Sequence, residues 1–256
     1  MNGIRWRWLF KLWGIIAIGG LVATGTVVGK EGKGMKSHRV DLDTQELLDP
    51  HAAAWDRVEG QVISLDPTPV ENLKEISPYM VATSDMKTFG KVREIQVKTV
   101  HNGKEIFFRL AWRDPTQDVE LSAPDDFVDA CGILFSLGGK ATTKSLAHMG
   151  APDNPVNAWY WRADLKDPLN LTARGLGTTQ KTASNHHLFS RARWEDGSWK
   201  VVLGRSLKTP DRSREAVRLQ PGKGTKVAFA VMDGSNRERG GLKSFSVDWD
   251  VLVIEK

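Results

Sequence analysis

The chain of 256 residues carries 36 Lys and Arg against 31 Asp and Glu, a formal net charge of +5. Arg5, Arg7 and Lys11 stand in residues 1–29 without an acid, so the rest is nearly balanced and nothing in its charge asks for nucleic acid as a partner. One cysteine, Cys131, excludes an intrachain disulfide, a CxxCH haem attachment site, a self-contained cysteine-ligated iron–sulfur cluster and a cysteine-rich zinc site.

Residues 1–29 have the layout of an export segment: basic and aromatic from Arg5 to Lys11, then uncharged from Leu12 to Val28. The uncharged stretch is also long enough for a short membrane span. The expectation is therefore a signal peptide or an N-terminal membrane anchor, in the second case with attachment through residues 9–28. Both send the remainder out of the cytoplasm. Residues 30–37 are glycine-rich and read as a linker, and residues 38–256 as one β domain.

Asp43 to Trp55 suggests a short helix broken at Pro50. Beyond it, strand signals dominate. Ile95–Val100 alternates apolar and polar residues and meets Asn102-Gly103, a strong hairpin signal, and the return strand sets Ile106, Phe108, Leu110 and Trp112 on one face. Phe127–Phe135 is an apolar run in which Cys131 reads as a buried strand residue. A long connection is expected over Gly138–Asn154, leading into the aromatic strand around Trp159-Tyr160-Trp161. A second hairpin turns at Asp196-Gly197. A third pair joins Lys226–Met232 to Ser244–Ile254 across a charged turn, Asp233–Leu242. Many strands, turn residues between them and little helix predict an all-β fold, an antiparallel β-sandwich with its site on loops at one end; a closed barrel is the alternative.

Two residues stand out chemically. Met149 sits in a glycine- and proline-shaped loop, His148 to Pro155. Its thioether is a poor acid, base or nucleophile but a soft ligand suited to haem iron; the plainer reading is a methionine plugging the end of the sandwich. Lys243 leaves a glycine turn and enters an apolar strand. A lysine facing inward there needs a reason, since burying an ammonium is costly, and coordination as the neutral amine is one. The plainer reading leaves its head in water. His148, beside Met149, is a rival ligand. His186 and His187, as neighbours on a strand, point to opposite faces and cannot chelate one ion together. No HExxH spacing or GxSxG elbow occurs, and Gly222-Lys223-Gly224-Thr225 lacks the spacing of a phosphate loop. Asp125, Asp126, Asp129 and Asp164 carry no mark of a catalytic pair, and Asp125-Asp126 reads as a turn.

From about Val81 to Ile254 the chain resembles the haem-binding γ subunits of periplasmic molybdoenzymes, the ethylbenzene dehydrogenase γ family. The matching stretches are Asn102-Gly103-Lys104 through Phe108-Arg109-Leu110-Ala111-Trp112-Arg113-Asp114-Pro115-Thr116, and Phe127-Val128-Asp129-Ala130. They continue with Met149-Gly150, Asn154-Pro155-Val156-Asn157 and Trp159-Tyr160-Trp161, then Trp199-Lys200-Val201-Val202 with Arg205 and Leu207. The last is Val227–Gly234 with Glu238-Arg239, Gly241 and Lys243-Ser244. The resemblance implies one haem b, held noncovalently in a β-sandwich by a methionine and a lysine. Met149 falls on the family's Met-Gly motif and Lys243 on its Gly-x-Lys-Ser turn. It further implies a periplasmic electron-transfer subunit that does not itself catalyse. Its partners would be a molybdenum catalytic α subunit, an iron–sulfur β subunit, and a soluble c-type cytochrome or the membrane pool. Two alternatives are a stand-alone membrane-tethered cytochrome b and a haem-free carbohydrate-binding sandwich, for which the ten tryptophans would supply stacking platforms.

Overall fold

The computed structural model describes residues 34–83, 87–138, 141–184, 187–209 and 215–256. The expected export segment and His186 lie outside them. In chain order the elements are β1 (Met35–Arg39), α1 (Thr44–Leu48), a 3-10 turn (Ala53–Arg57), β2 (Gln61–Pro67), α2 (Val70–Ile76), α3 (Pro78–Thr83), β3 (Glu94–His101) and β4 (Glu105–Arg113). Next come β5 (Ala130–Ser136), α4 (Thr143–Ala147), β6 (Val156–Arg162), β7 (Leu169–Ala173), β8 (Gln180–Lys181) and β9 (Phe189–Glu195). The last four are β10 (Ser198–Ser206), β11 (Gly224–Met232), β12 (Ser244–Ser246) and β13 (Asp250–Ile254).

The strands form two five-stranded layers, β8-β7-β6-β5-β11 and β9-β10-β4-β3-β2, with every neighbour within a layer antiparallel. β11 stitches them together. One of its ends pairs with β12, which pairs with β2; the other pairs with β13, which reaches β3 through β1. The expected antiparallel sandwich is present, with one amendment: β1 runs parallel to both β13 and β3, so the joined sheet is mixed. β1 also begins at Met35, inside the stretch read as linker, because pairing on both sides and burial of Met35 recruit it into the fold.

Local chemistry explains the main pieces. Asp43 caps α1 by accepting the Glu46 N–H at 2.8 Å, and the helix stops before Pro50. The Asp196-Gly197 turn has both residues at positive φ, 50° and 67°, as a two-residue hairpin requires. Between the layers, Ile106, Phe108, Leu110 and Trp112 of β4 meet Ile133 and Phe135 of β5, Trp159 and Trp161 of β6, and Phe229 of β11. The Phe135 and Trp159 rings lie 4.8 Å apart and those of Trp161 and Trp199 4.9 Å apart. Each such fully buried side chain contributes roughly 1.5–3 kcal/mol. Cys131, 0% exposed, belongs to this core, where burial raises its thiol pKa far above the ordinary value.

Both outer faces are covered as well. Leu47, Leu48 and Trp55 close over Val100, Phe107 and Val202 on one sheet. On the other, Leu146 of α4 and Trp249 close over Leu134, Ala158 and Ala228. This second cover positions the candidate site. It depends on a departure from the single strand expected over Ser244–Ile254. Ala230 pairs with Phe245 and Val227 with Asp250, so the segment between β12 and β13 is longer than the β11 stretch it spans. The surplus at 247–249 bulges, and Trp249 packs on the outer face with its Nε1 donating to the Thr142 carbonyl at 3.0 Å.

Candidate functional site

The site begins at α4, a single turn within the connection expected to be irregular. Thr142 caps it with a reciprocal pair: Thr142 Oγ1 accepts the Ser145 N–H at 3.1 Å, and Ser145 Oγ accepts the Thr142 N–H at 2.9 Å. The chain then leaves the helix through two consecutive positive-φ residues, Met149 (57°) and Gly150 (94°). Glycine adopts this conformation freely; for methionine it costs about 1–2 kcal/mol. The surrounding bonds hold the methionine there. Met149 N–H donates to Leu146 O at 3.0 Å, Gly150 N–H to Ser145 O at 2.7 Å, and Gly175 N–H to Met149 O at 3.2 Å. Asn154 Nδ2 donates to Ser145 Oγ at 2.9 Å and locks the loop against the helix. A side chain on Gly150 would come within 3.0 Å of the carbonyls of Ala173 and Asn154, so this corner is pressed onto β7.

Lys243 arrives from the opposite direction. The turn after β11 folds on Glu238, whose carboxylate accepts the amides of Asp233, Gly90 and Lys91. Leu242 then packs against Leu73 and Phe89 beneath α2. Lys243 enters β12 only 9% exposed, its carbonyl accepting the Thr68 N–H at 3.0 Å. Its Nζ donates to Gly240 O at 3.1 Å, and no carboxylate pairs with it among the described residues. Burial alone lowers its pKa to about 8.

Met149 and Lys243 line one small cavity, with Leu134, Leu146 and Phe245 as apolar wall and Thr68 as a polar contact. The structure thus brings the two sequence-derived candidates together. His148 lies apart: it is not in the cavity wall, and its Nδ1 lies 2.9 Å from the Lys144 carbonyl on the outer side of α4. The cavity measures about 10 Å³, room for roughly one water molecule. No motif in the sequence marks the wall residues as a set. Leu134, of opposite strand parity to Ile133 and Phe135, was the available signal, since an apolar residue on the outer face implies a covering layer.

The acids singled out in the sequence separate. Asp164 pairs with Arg162, with contacts of 2.5 and 2.6 Å that lower its pKa. Asp125 faces Arg237, and Asp126 closes a turn on the amides of Ser122 and Ala123. Asp129 has a different setting: it is buried beside Asp114, Asp118 and Asp233, a grouping that no motif in the chain marks. All seven tryptophans among the described residues are buried or half-buried, so none forms an exposed stacking platform.

Comparison with known proteins agrees with the family named by the motifs. Residues 52–190 and 176–244 match the ethylbenzene dehydrogenase family, and this chain belongs to it. It is 30% identical, over 88% of its own length and 89% of the relative's, to the chlorate reductase subunit gamma of Ideonella dechloratans. It is 31% identical to the candidate respiratory nitrate reductase heme subunit ORF7 of Haloferax mediterranei, covering 78% of this chain and 66% of that one. With the dimethylsulfide dehydrogenase subunit gamma of Rhodovulum sulfidophilum it shares 27% identity, covering 61% and 59%. A family 9 carbohydrate-binding module of Caldicellulosiruptor kristjanssonii is similar in structure at a TM-score of 0.48 and 10% identity, covering 87% of this chain and 96% of that one.

Proposed function

We propose that this chain is a b-type cytochrome, the electron-transfer subunit of a periplasmic molybdenum-containing oxidoreductase, with one noncovalent haem b held between Met149 and Lys243. The observation that carries the reading is the shared cavity: a soft thioether and an amine without a carboxylate partner, brought together by folding and walled by apolar side chains. The donor set fits haem iron in kind. The cavity is far smaller than a porphyrin, so its walls would have to move on loading, and α4, held over the sheet by few bonds, is the part we expect to lift.

When bound, the haem supplies a one-electron ferric–ferrous couple. Met149 offers the thioether that favours the reduced state. Lys243 must present a neutral amine, and burial without an anion favours that form. Leu134, Leu146 and Phe245 give both donors apolar surroundings, with Lys243 buried and Met149 half-buried. Met149 and Lys243 would both be engaged in holding the haem, so this chain would act as a relay and leave the chemistry to a partner. The relatives named as gamma subunits support membership in a multi-subunit complex; in our reading its members would be a molybdenum α subunit and an iron–sulfur β subunit, with a c-type cytochrome or the membrane pool on the other side. Residues 1–29 would deliver the domain to the periplasm, as a cleaved signal or as a tether to the inner membrane.

The test is an absorption spectrum of the full chain, expressed with adequate haem. A Soret band and low-spin α and β bands on reduction are expected. A protein that stays colourless after expression and after reconstitution with haemin would falsify the reading.

A further inference from the structure

Asp114 follows the last residue of β4, Asp129 immediately precedes β5, and Asp233 follows β11. Asp118 lies in the connection between the first two. One oxygen from each of the four carboxylates falls within 4.8 Å of all the others. Asp114, Asp129 and Asp233 are 0%, 0% and 1% exposed, and Asp118 is half-buried. The nearest ion-pair partner is Lys91, whose Nζ stands 3.9 Å from Asp233 Oδ2 and is 57% exposed. A single wet ammonium does not balance this much buried negative charge.

Most of the oxygens have local donors. Asp129 accepts the Gly234 and Asp118 amides and the Trp199 Nε1–H, at 2.8, 2.9 and 2.8 Å. Asp233 Oδ1 accepts from Ser235 Oγ and the Asn236 amide, and Asp118 Oδ2 from Thr116 Oγ1. Asp114 Oδ1 accepts the Thr116 N–H, but Asp114 Oδ2, fully buried, has no hydrogen-bond partner among the described residues apart from an approach of the Trp112 indole to this carboxylate that falls short of a full hydrogen bond. A buried carboxylate oxygen left so within a group of four carboxylates lacks a positive partner. The donors are all carboxylate oxygens, with no nitrogen or sulfur, which selects a hard cation. They come from separate segments around an irregular site, which suits calcium better than the strict octahedron of magnesium.

We propose that Asp114, Asp118, Asp129 and Asp233 form a calcium site that clamps the end of β4 in one layer to the ends of β5 and β11 in the other. Water and main-chain carbonyls would complete the shell. The proposal does not depend on the haem reading.

The experiment uses the full chain, stripped with EGTA and studied at pH 8. Equilibrium dialysis against calcium is expected to give one ion per chain, with half-saturation at or below about 1 mM, and calcium should raise the melting midpoint by a few degrees while magnesium does less. Asp114→Asn and Asp118→Asn should each weaken binding about tenfold or more and abolish the calcium-dependent rise. Asp118 is half-buried, so its variant serves if Asp114→Asn fails to fold. Asp125→Asn, on the exposed turn nearby, should bind as the parent does. Absence of stoichiometric binding and of any midpoint shift in the parent protein overturns the site. Binding that survives both variants, or that is lost in Asp125→Asn, does so equally.

Discussion

Lys243 and Met149 reach the same cavity by opposite routes: the lysine from a strand at the seam of the two layers, the methionine from a one-turn helix laid over the outer face. The routes differ in rigidity. Ser244, next to the lysine, pairs with Val231 on one side and Pro67 on the other. α4 is tied down mainly by single side-chain bonds, Asn72 Nδ2 to Ala147 O at 3.0 Å, Thr143 Oγ1 to Asp248 Oδ1 at 2.9 Å, and Trp249 Nε1 to Thr142 O.

The ligand assignment predicts a pattern across three variants. Met149→Ala and Lys243→Ala should each lose haem or convert the low-spin spectrum, while His148→Ala leaves it unchanged because its ring lies outside the cavity wall. Optical spectra of purified variants decide this, and a spectral change confined to His148→Ala would transfer the assignment to the histidine.

The backbone at Met149 predicts a separate effect. Met149→Gly and Met149→Ala both delete the thioether, but only alanine keeps the left-handed penalty. Denaturant unfolding of the haem-free proteins should find the glycine variant more stable by about 1 kcal/mol. Equal stabilities would mean that the loop relaxes out of this conformation.

If α4 must rise to admit haem, weakening its ties should speed loading. Asn72→Ala and Trp249→Phe each remove one bond, at a stability cost of about 1 kcal/mol. Stopped-flow uptake of haemin by the apoprotein should be faster in both, and transfer of haem from the loaded variants to a scavenger faster too. Unchanged rates would place the entry route elsewhere.

Cys131, inside the core with no exposure, should not react with a thiol reagent in the native protein and should react fully once denaturant unfolds it. Rapid native labelling, followed by absorbance, would contradict the packing between β5 and β6.

What the sequence reveals here follows the range of the interactions. The Asn102-Gly103 and Asp196-Gly197 hairpins are written in adjacent residues and stand as expected, and the short helix read from Asp43 onward stops before Pro50. α4 was invisible because five residues make one turn, too short for periodicity, and because its cap uses Ser145 where the familiar signature has an acid or amide. The break between β12 and β13 is set by register against β11, a distant partner. The Asp114–Asp233 cluster is assembled by topology from four scattered positions, so no spacing announces it. Met149 and Lys243 were legible as oddities, a thioether in a tight loop and a lysine in an apolar strand; only the folded arrangement makes them neighbours.

The seam where β12 joins β11 to β2 gives this site unequal halves. Lys243 is fixed by the same pairings that hold the two layers together, so it cannot yield without parting the sandwich. Met149 hangs from a short cover whose fastenings can be undone one at a time. Under the proposed ligation, the arrangement would work as a vice with one jaw cast into the frame and the other free to slide, and the fit of what it grips would be adjusted from the methionine side.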